Sequence, residues 1–431
     1  MKIYPKMKDS GVEWIGEIPE HWDITKIKFT SYVKGRIGWQ GLRSDEFTDK
    51  GPLLVTGTDF ENGKINWNTC HHVDQWRYDQ DPHIQLREKD ILITKDGTIG
   101  KVAKVEQIPA PTTLNTGVMV IRPLKDTYLS EFIFWMLQSS IFLEFINWIK
   151  TGSTIHHLYQ ESFNNFQFVL PKTLEEQKQI ANFLDKKTTK IDSDIQKNQR
   201  LVELLKEKRQ STINQTVTKG LDPTVPMKDS CVDWIGEIPK GWNEKRLKFS
   251  IFLRSDKSRD SNSRPYIGLE NITSKNGKLI DVNNEMNESD SKLFEEKDVL
   301  LGKLRPYLAK VWNAEFAGRC SSEFLVFKGI DYESKFLSLL LLSDGTIKNI
   351  DASTYGAKMP RAEWSFIGNM VLPVPPKEEQ NEIARFLEKE TSKIDSLISK
   401  TESQIEKIQE FRQALITSAV TGKIDVREAI A

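Results

Sequence analysis

Two acid–lysine–acid triplets, Glu88-Lys89-Asp90 and Glu296-Lys297-Asp298, are the nearest approach in the 431-residue sequence to the clustered carboxylates and lysine of a two-metal nuclease. Each leads into an apolar run, DILIT or DVLLG, and the two segments match one another, so the start of a strand accounts for both without catalysis. Cys70-His71-His72 and His156-His157 offer metal-ligand types, but sequence neighbours rarely face one ion without partners at set spacing. The three cysteines, Cys70, Cys231 and Cys320, form no CxxC pair and no disulfide framework, and read as packed or surface thiols. There is no GxxxxGKS/T phosphate loop, no glycine-rich cofactor loop after a strand, and no Asn-Pro-Pro-Tyr/Phe or Asp-Pro-Pro-Tyr run to present an adenine amino group. No catalytic residue, metal ligand or bound cofactor is therefore assigned to this chain.

Composition sets the frame. The sequence is 38% apolar and 28% charged, with 61 Lys plus Arg against 61 Asp plus Glu and a formal net charge of zero. Affinity for nucleic acid comes from neutralised phosphates, so any such surface must be local rather than general. No apolar run approaches the roughly 18 residues of a membrane span, and MKIYPKMKDSG lacks the apolar core of a signal peptide. A soluble protein of the cytoplasm with no membrane partner is expected, with room for two to four domains.

The chain says much of this twice. MKDSGVEWIGEIPEHW (7–22) returns as MKDSCVDWIGEIPKGW (227–242), with 12 of 16 positions identical. PLLVTGTDFENGKI (52–65) faces PYIGLENITSKNGKL (265–279), each an apolar run followed by an Asn-Gly turn. KDILITKDGTIGKVAKV (89–105) faces KDVLLGKLRPYLAKV (297–311), and the match fails in the loops. It returns sharply in LPKTLEEQKQIANFLDKKTTKIDSDI (170–195) against VPPKEEQNEIARFLEKETSKIDSLI (374–398), where proline and acidic residues open a helix at the positive end of its dipole.

Neither helix meets a Gly or Pro before Gly220 or Gly422, so each can run some 45 residues, about 65 Å. A seven-residue period places Leu184, Ile191, Ile195, Val202 and Leu205 on one seam and Leu387, Ile394, Ile398, Ile405, Ile408 and Leu415 on the other, interrupted by polar residues at the same places. An antiparallel pair with Asn198 opposite Thr401 sets Leu184 against Leu415, Ile191 against Ile408 and Leu205 against Ile394.

On these residues the sequence resembles the specificity subunit of a type I DNA restriction-modification system. The marks are WIGEIPxxW (Trp14–Trp22, Trp234–Trp242), DILITKDGTIGK (90–101) with DVLLGKLRPYLAKV (298–311), TGSTIHHLYQESFNNFQFVLP (151–171) with YGAKMPRAEWSFIGNMVLPVP (355–375), and EEQxxIAxFL (175–184, 378–387). They cover essentially the whole chain, in order, twice. The resemblance implies an α+β fold: two similar β-rich target recognition domains separated by two long antiparallel coiled-coil helices, with pseudo-two-fold symmetry. The expected division is a first recognition domain over 1–171, a first spacer helix over 172–220, a second recognition domain over 221–375, and a second spacer helix with the C-terminal tail over 376–431. It further implies a non-catalytic subunit that binds double-stranded DNA with a bipartite target, two modification (adenine-N6 methyltransferase) subunits and ATP-dependent motor-nuclease restriction subunits. S-adenosylmethionine, ATP and Mg would then be used by those partners, not by this chain.

Base edges are read chiefly by Arg or Lys on guanine and Asn or Gln on adenine, beside phosphate contacts that position the protein. Candidate DNA-binding residues in the first half are Arg36, Gln40, Arg43, Lys95, Asp96, Thr98, Ser153, Thr154, His156 and His157. In the second half they are Arg254, Lys257, Arg259, Arg264, Lys303, Arg305, Tyr307, Lys358 and Arg361. Trp14, Trp22, Trp234 and Trp242 recur unchanged in domains expected to read different bases, which favours core or docking roles over base stacking. The competing reading is a protein-binding scaffold of tandem β-domains on a coiled-coil rod, which zero net charge slightly favours.

Overall fold

The computed structural model describes residues 2–37, 42–150, 157–258, 264–280, 291–354 and 359–427. The chain divides into two compact units, one of residues 1–198 with 404–431 and the other of residues 199–403.

In the first unit the main sheet runs in the spatial order Ser31–Gly35, Val118–Pro123, Ile91–Thr94, Val102–Lys104, Lys64–Ile65, Phe60–Glu61. A second sheet holds Thr112–Leu114, Phe47–Val55 and His71–Val73. Successive strand residues point to opposite faces. Ile91, Ile93, Met119 and Ile121 enter a core shared with helices, while Leu92, Val118 and Val120 meet Leu53, Val55 and Leu114 of the second sheet. Burial on both faces is why these central strands read as unbroken apolar runs rather than alternating ones.

The second unit repeats the central order with Ile251–Arg254, Phe324–Gly329, Val299–Gly302 and Val311–Asn313, beside a sheet of Lys257–Ser258, Ser291–Phe294, Gly318–Cys320 and Tyr266–Ile267. The two-faced burial recurs: Val299, Leu301, Leu325 and Phe327 face the helical core, and Leu300, Phe324 and Val326 the inter-sheet core.

The tryptophan motif folds as a hairpin in both units, with Met7 paired to Pro19 and Met227 to Pro239. Each hairpin drops one indole into the core, Trp22 at 0% and Trp242 at 1% exposure. Trp22 Nε1 donates to Glu176 Oε1 at 3.2 Å and Trp242 Nε1 to Glu379 Oε2 at 2.8 Å, so the second glutamate of each EEQ is the partner of the buried indole. Glu176 also accepts the Tyr4 hydroxyl at 2.9 Å, and burial together with that carboxylate raises the phenol above its ordinary range. The glutamine that follows bridges two elements. Gln177 accepts from Leu129 N and donates to the Pro171 carbonyl; Gln380 accepts from Glu333 N and donates to the Pro375 carbonyl. Gly422 and Gly220 stand just past the long helices with φ of +71° and +76°, and a Cβ on Gly422 would lie 2.3 Å from Pro19 Cδ. Tryptophan, glutamate, glutamine and glycine thus form one joint in each unit, which explains why they recur together.

The long helices span Leu174–Lys219 and Lys377–Val420, 46 and 44 residues. Among the described residues no single helix is long and apolar enough to cross a membrane. All the heptad residues named above are buried or half-buried, whereas Leu201, Leu204, Leu397 and Phe411, off the seams, are exposed. In the second unit Arg209 bridges Asp395 at 2.9 Å and Lys206 reaches Glu402 at 4.0 Å, the reversed order of an antiparallel pair. In the first, Arg412 grips Asp192 through two contacts of 2.8 and 3.2 Å. These are the same heptad places in exchanged roles.

The two bridges differ in burial, with side-chain exposures of 9% and 16% for Arg209 and Asp395 against 25% and 44% for Arg412 and Asp192. Removing one partner costs most where the other stays dry. Lys278 also reaches Asp395 at 2.7 Å, so with Lys278→Ala as the background Arg209→Ala is expected to cost about 2 kcal/mol, roughly twice Arg412→Ala, as read by the urea midpoint of the full chain. Equal losses would remove burial as the controlling variable.

Candidate nucleic-acid interface

In the first unit the KDGTIGK loop leaves the strand Ile91–Thr94 and is clamped from two sides. Lys95 N donates to the Gly117 carbonyl at 2.8 Å and the Lys95 carbonyl accepts from Leu158 N at 2.9 Å. This brings Asp96 onto His157, whose Nδ1 meets Asp96 Oδ1. Burial pulls the Lys95 ammonium below its ordinary value, with Asp96 opposing. Asp96 and Thr98 are exposed. Arg36 is 1% exposed: Nε donates to the Leu114 carbonyl at 2.7 Å and Nη2 to Thr113 Oγ1 at 3.1 Å, so this guanidinium faces the interior and holds a strand. Arg43 is exposed beside a short 3-10 turn, with its N–H donating to Glu46 Oε2.

The second unit builds the same corner from different side chains. Lys303 N donates to the Glu323 carbonyl at 2.8 Å, the Lys303 carbonyl accepts from Ala362 N at 3.0 Å, and Arg305 N donates to the Pro360 carbonyl at 2.8 Å. Leu304 and Arg361 pair as a β-bridge, and Arg361 Nη2 donates to Glu323 Oε1 at 2.8 Å. Arg305 adopts φ +50° at the start of the turn Pro306–Leu308, which leaves it and Tyr307 exposed. Lys257 lies opposite Lys292 in the second sheet, and burial followed by the charge of Lys303 pulls the Lys292 ammonium down. Lys257, Lys292 and Lys303 thus gather here, with Glu323 as the opposing charge.

Other candidates are spent on the scaffold. Arg254 Nε lies 2.5 Å from Asp298 Oδ2, and Arg264 bridges Glu295 at 2.8 Å. Gln40, Ser153, Thr154, His156, Arg259 and Lys358 lie outside the described residues. In the acid triplets, Asp90 accepts Arg122 Nε and Nη2 at 2.7 and 2.8 Å, and Glu88 accepts the N–H groups of Gln107 and Ile108. Lys89 and Lys297 take φ of +68° and +67°, the turn before each strand. His71 stacks on Phe47, His72 binds the Gly51 carbonyl, and burial with Asp59 pushes the Cys70 thiol up to about 12, so these three side chains serve separate contacts. Among the described residues no group of three His, Cys, Asp or Glu could hold a metal ion.

Two residues of the corner escape sequence reasoning. Glu323 and Lys292 come to Arg361 and Lys303 only through sheet pairing, and the counterpart of Glu323 is Gly117, so the repeat gives no signal there. Glu176 and Glu379 did carry a signal, the EEQ that recurs wherever the tryptophan motif does.

The family described as "Type I restriction modification DNA specificity domain" matches residues 37–203 and again 239–407. The chain is 23% identical over 441 residues to the type I restriction enzyme MjaVIII specificity subunit of Methanocaldococcus jannaschii, covering 95% of this chain and 94% of that one. It is 22% identical over 439 residues to the EcoKI specificity subunit of Escherichia coli K12, covering 95% and 90%. A chain from a solved type I R-M system superposes with a TM-score of 0.68 at 17% identity, covering 94% of this chain and 99% of that one. The HsdS subunit from Thermoanaerobacter tengcongensis does so with 0.52 at 15% identity, covering 94% and 98%. With two matched copies spanning most of its length and the same fold in both solved relatives, the chain belongs to the family of type I restriction-modification DNA specificity subunits.

Proposed function

We propose that each half of this chain reads one half-site of a bipartite DNA target and that the chain docks two modification subunits and the restriction subunits without chemistry of its own. The observation that carries this reading is the corner built twice on one backbone scheme, around Lys95 and around Lys303, with different side chains presented. A repeated frame with unlike tips is what two readers of unlike sequences require. The working division remains 1–171 and 221–375 for recognition and 172–220 and 376–431 for spacing and docking. Arg36 and Arg254 hold the frame. Arg43, Lys95, Asp96, Thr98, His157, Lys257, Lys303, Arg305, Tyr307 and Arg361 are the described residues offered to DNA. S-adenosylmethionine, ATP and Mg serve the partner subunits, in the cytoplasm.

Each modification subunit would stand over the adenine of one half-site and extrude it to reach the amino group. Single-molecule sequencing of adenine methylation in a cell carrying this chain with its cognate modification subunit is expected to return a motif split by an unread gap. An unsplit motif refutes the proposal. A gel shift against random duplexes with the partner subunits present separates it from a pure protein scaffold, which would leave the duplexes unshifted.

A further inference from the structure

We infer that His157 and Arg361 occupy the same reading position in the two domains, each aimed by a carboxylate, and that they read opposite sides of the hydrogen-bond code. His157 would take an exocyclic amino group of adenine or cytosine, and Arg361 the O6 and N7 acceptors of guanine. This inference rests on the DNA-reading function proposed above.

The equivalence is set by backbone contacts. The carbonyl of Lys95 accepts from Leu158 N and that of Lys303 from Ala362 N; the N–H of Lys95 reaches Gly117 and that of Lys303 reaches Glu323. Leu158 and Ala362 are both buried, and each precedes a short helix, Gln160–Asn164 or Trp364–Ile367. The residue just before each of these anchors is therefore the same point of the frame, and it is His157 in one unit and Arg361 in the other.

Each of these side chains has a carboxylate partner, but the carboxylates come from different places. Asp96 follows Lys95 in its loop, where the second unit has Leu304; Glu323 sits where the first unit has Gly117. Gly117 leaves that ground to Asp96, whose Cβ would lie 3.7 Å from a Cβ built there. The backbone repeat did not hand down the carboxylate, yet both units have one. A carboxylate beside DNA repels phosphate, so a phosphate clamp would be better without it. A base reader gains from it, because it fixes the direction of the side chain it holds.

The chemistry differs accordingly. In the tautomer that points Nδ1–H at Asp96, Nε2 is the acceptor of the His157 ring. Its matches in the major groove are the N6 amino group of adenine and the N4 amino group of cytosine. The ring also packs on Tyr159 at 4.5 Å between centroids, which limits its rotation. Arg361 has only donors, and a planar fork suits guanine O6 and N7.

The test uses the complex of this chain with its cognate modification subunits, given duplexes randomised across both half-sites, with methylation read by sequencing. Arg361→Ala is expected to erase preference for one guanine in one half-site, a loss of about tenfold or more in discrimination, with the other half-site unchanged. Glu323→Gln should relax that same position while the rest of the motif stands, and His157→Arg should shift one adenine or cytosine of the other half-site toward guanine. Should Arg361→Ala give no methylation, Arg361→Lys, which keeps the charge and loses the fork, reads the same position. Uniformly weakened methylation with base preferences intact would make these residues phosphate contacts and overturn the inference. A motif without two parts would instead overturn the proposed function.

Discussion

Trp242→Ala is expected to unfold the second unit's core at markedly lower denaturant, and Trp22→Ala the first unit's. Each indole is almost wholly buried, donates to a glutamate, and lies against the glycine that ends a long helix: Trp242 on Gly220, Trp22 on Gly422. Truncation removes the ring's buried area, leaves a cavity and, at Trp242, takes the indole donor from Glu379, together about 3–5 kcal/mol. That is a large part of the 5–15 kcal/mol on which a domain usually stands. Trp14, 49% exposed, is the control, and its alanine variant is expected to cost less than about 1 kcal/mol. Urea titration followed by hydrogen exchange resolves which unit opens. The joint is refuted as the source of stability if Trp242→Ala behaves like Trp14→Ala. Trp22→Phe separates the two components in the first unit. It keeps most of the packing, and Glu176 retains Tyr4 at 2.9 Å and His21 at 3.1 Å, so the loss should be small.

Lengthening both long helices by one heptad, after Gln199 and after Glu402, is expected to lengthen the unread gap of the target and leave both half-sites intact. Seven residues add about 10.5 Å of helix, roughly three base-pair steps at 3.4 Å each. A full heptad keeps the seams in phase, so the pairing that buries Ile195, Val202 and Ile394 is preserved on either side of the insertion. A two-residue insertion, about 200° of helix rotation, turns the seams away from each other and should instead lower stability. The readout is methylation mapping with the cognate modification subunit. A motif whose gap is the same before and after the heptad insertion would sever helix length from target spacing.

The sequence by itself determined the repeat, the strand runs and the helices, because these follow from local periodicity. Leu184, Leu387 and Leu415 are fully or nearly buried where a seven-residue count put them, and the helices stop at Lys219 and Val420, one or two residues before the glycines that terminate them. Charge was harder to place. Arg36, in a loop with the composition of a DNA contact, turns inward to Leu114 and Thr113, and Arg254 is spent on Asp298. Nothing in residue type distinguishes an arginine that braces a strand from one that reaches solvent; the neighbouring strand decides, and it is far away in sequence. The same holds for the two corners. Lys95 and Lys303 were visible as equivalents, but Asp96 on His157 and Glu323 on Arg361 depend on which strands lie side by side, and pairing across 61 and 38 residues of chain leaves no local trace. Local pattern therefore determined the frame, and only the tertiary structure decided which of its charged side chains face outward and in what company.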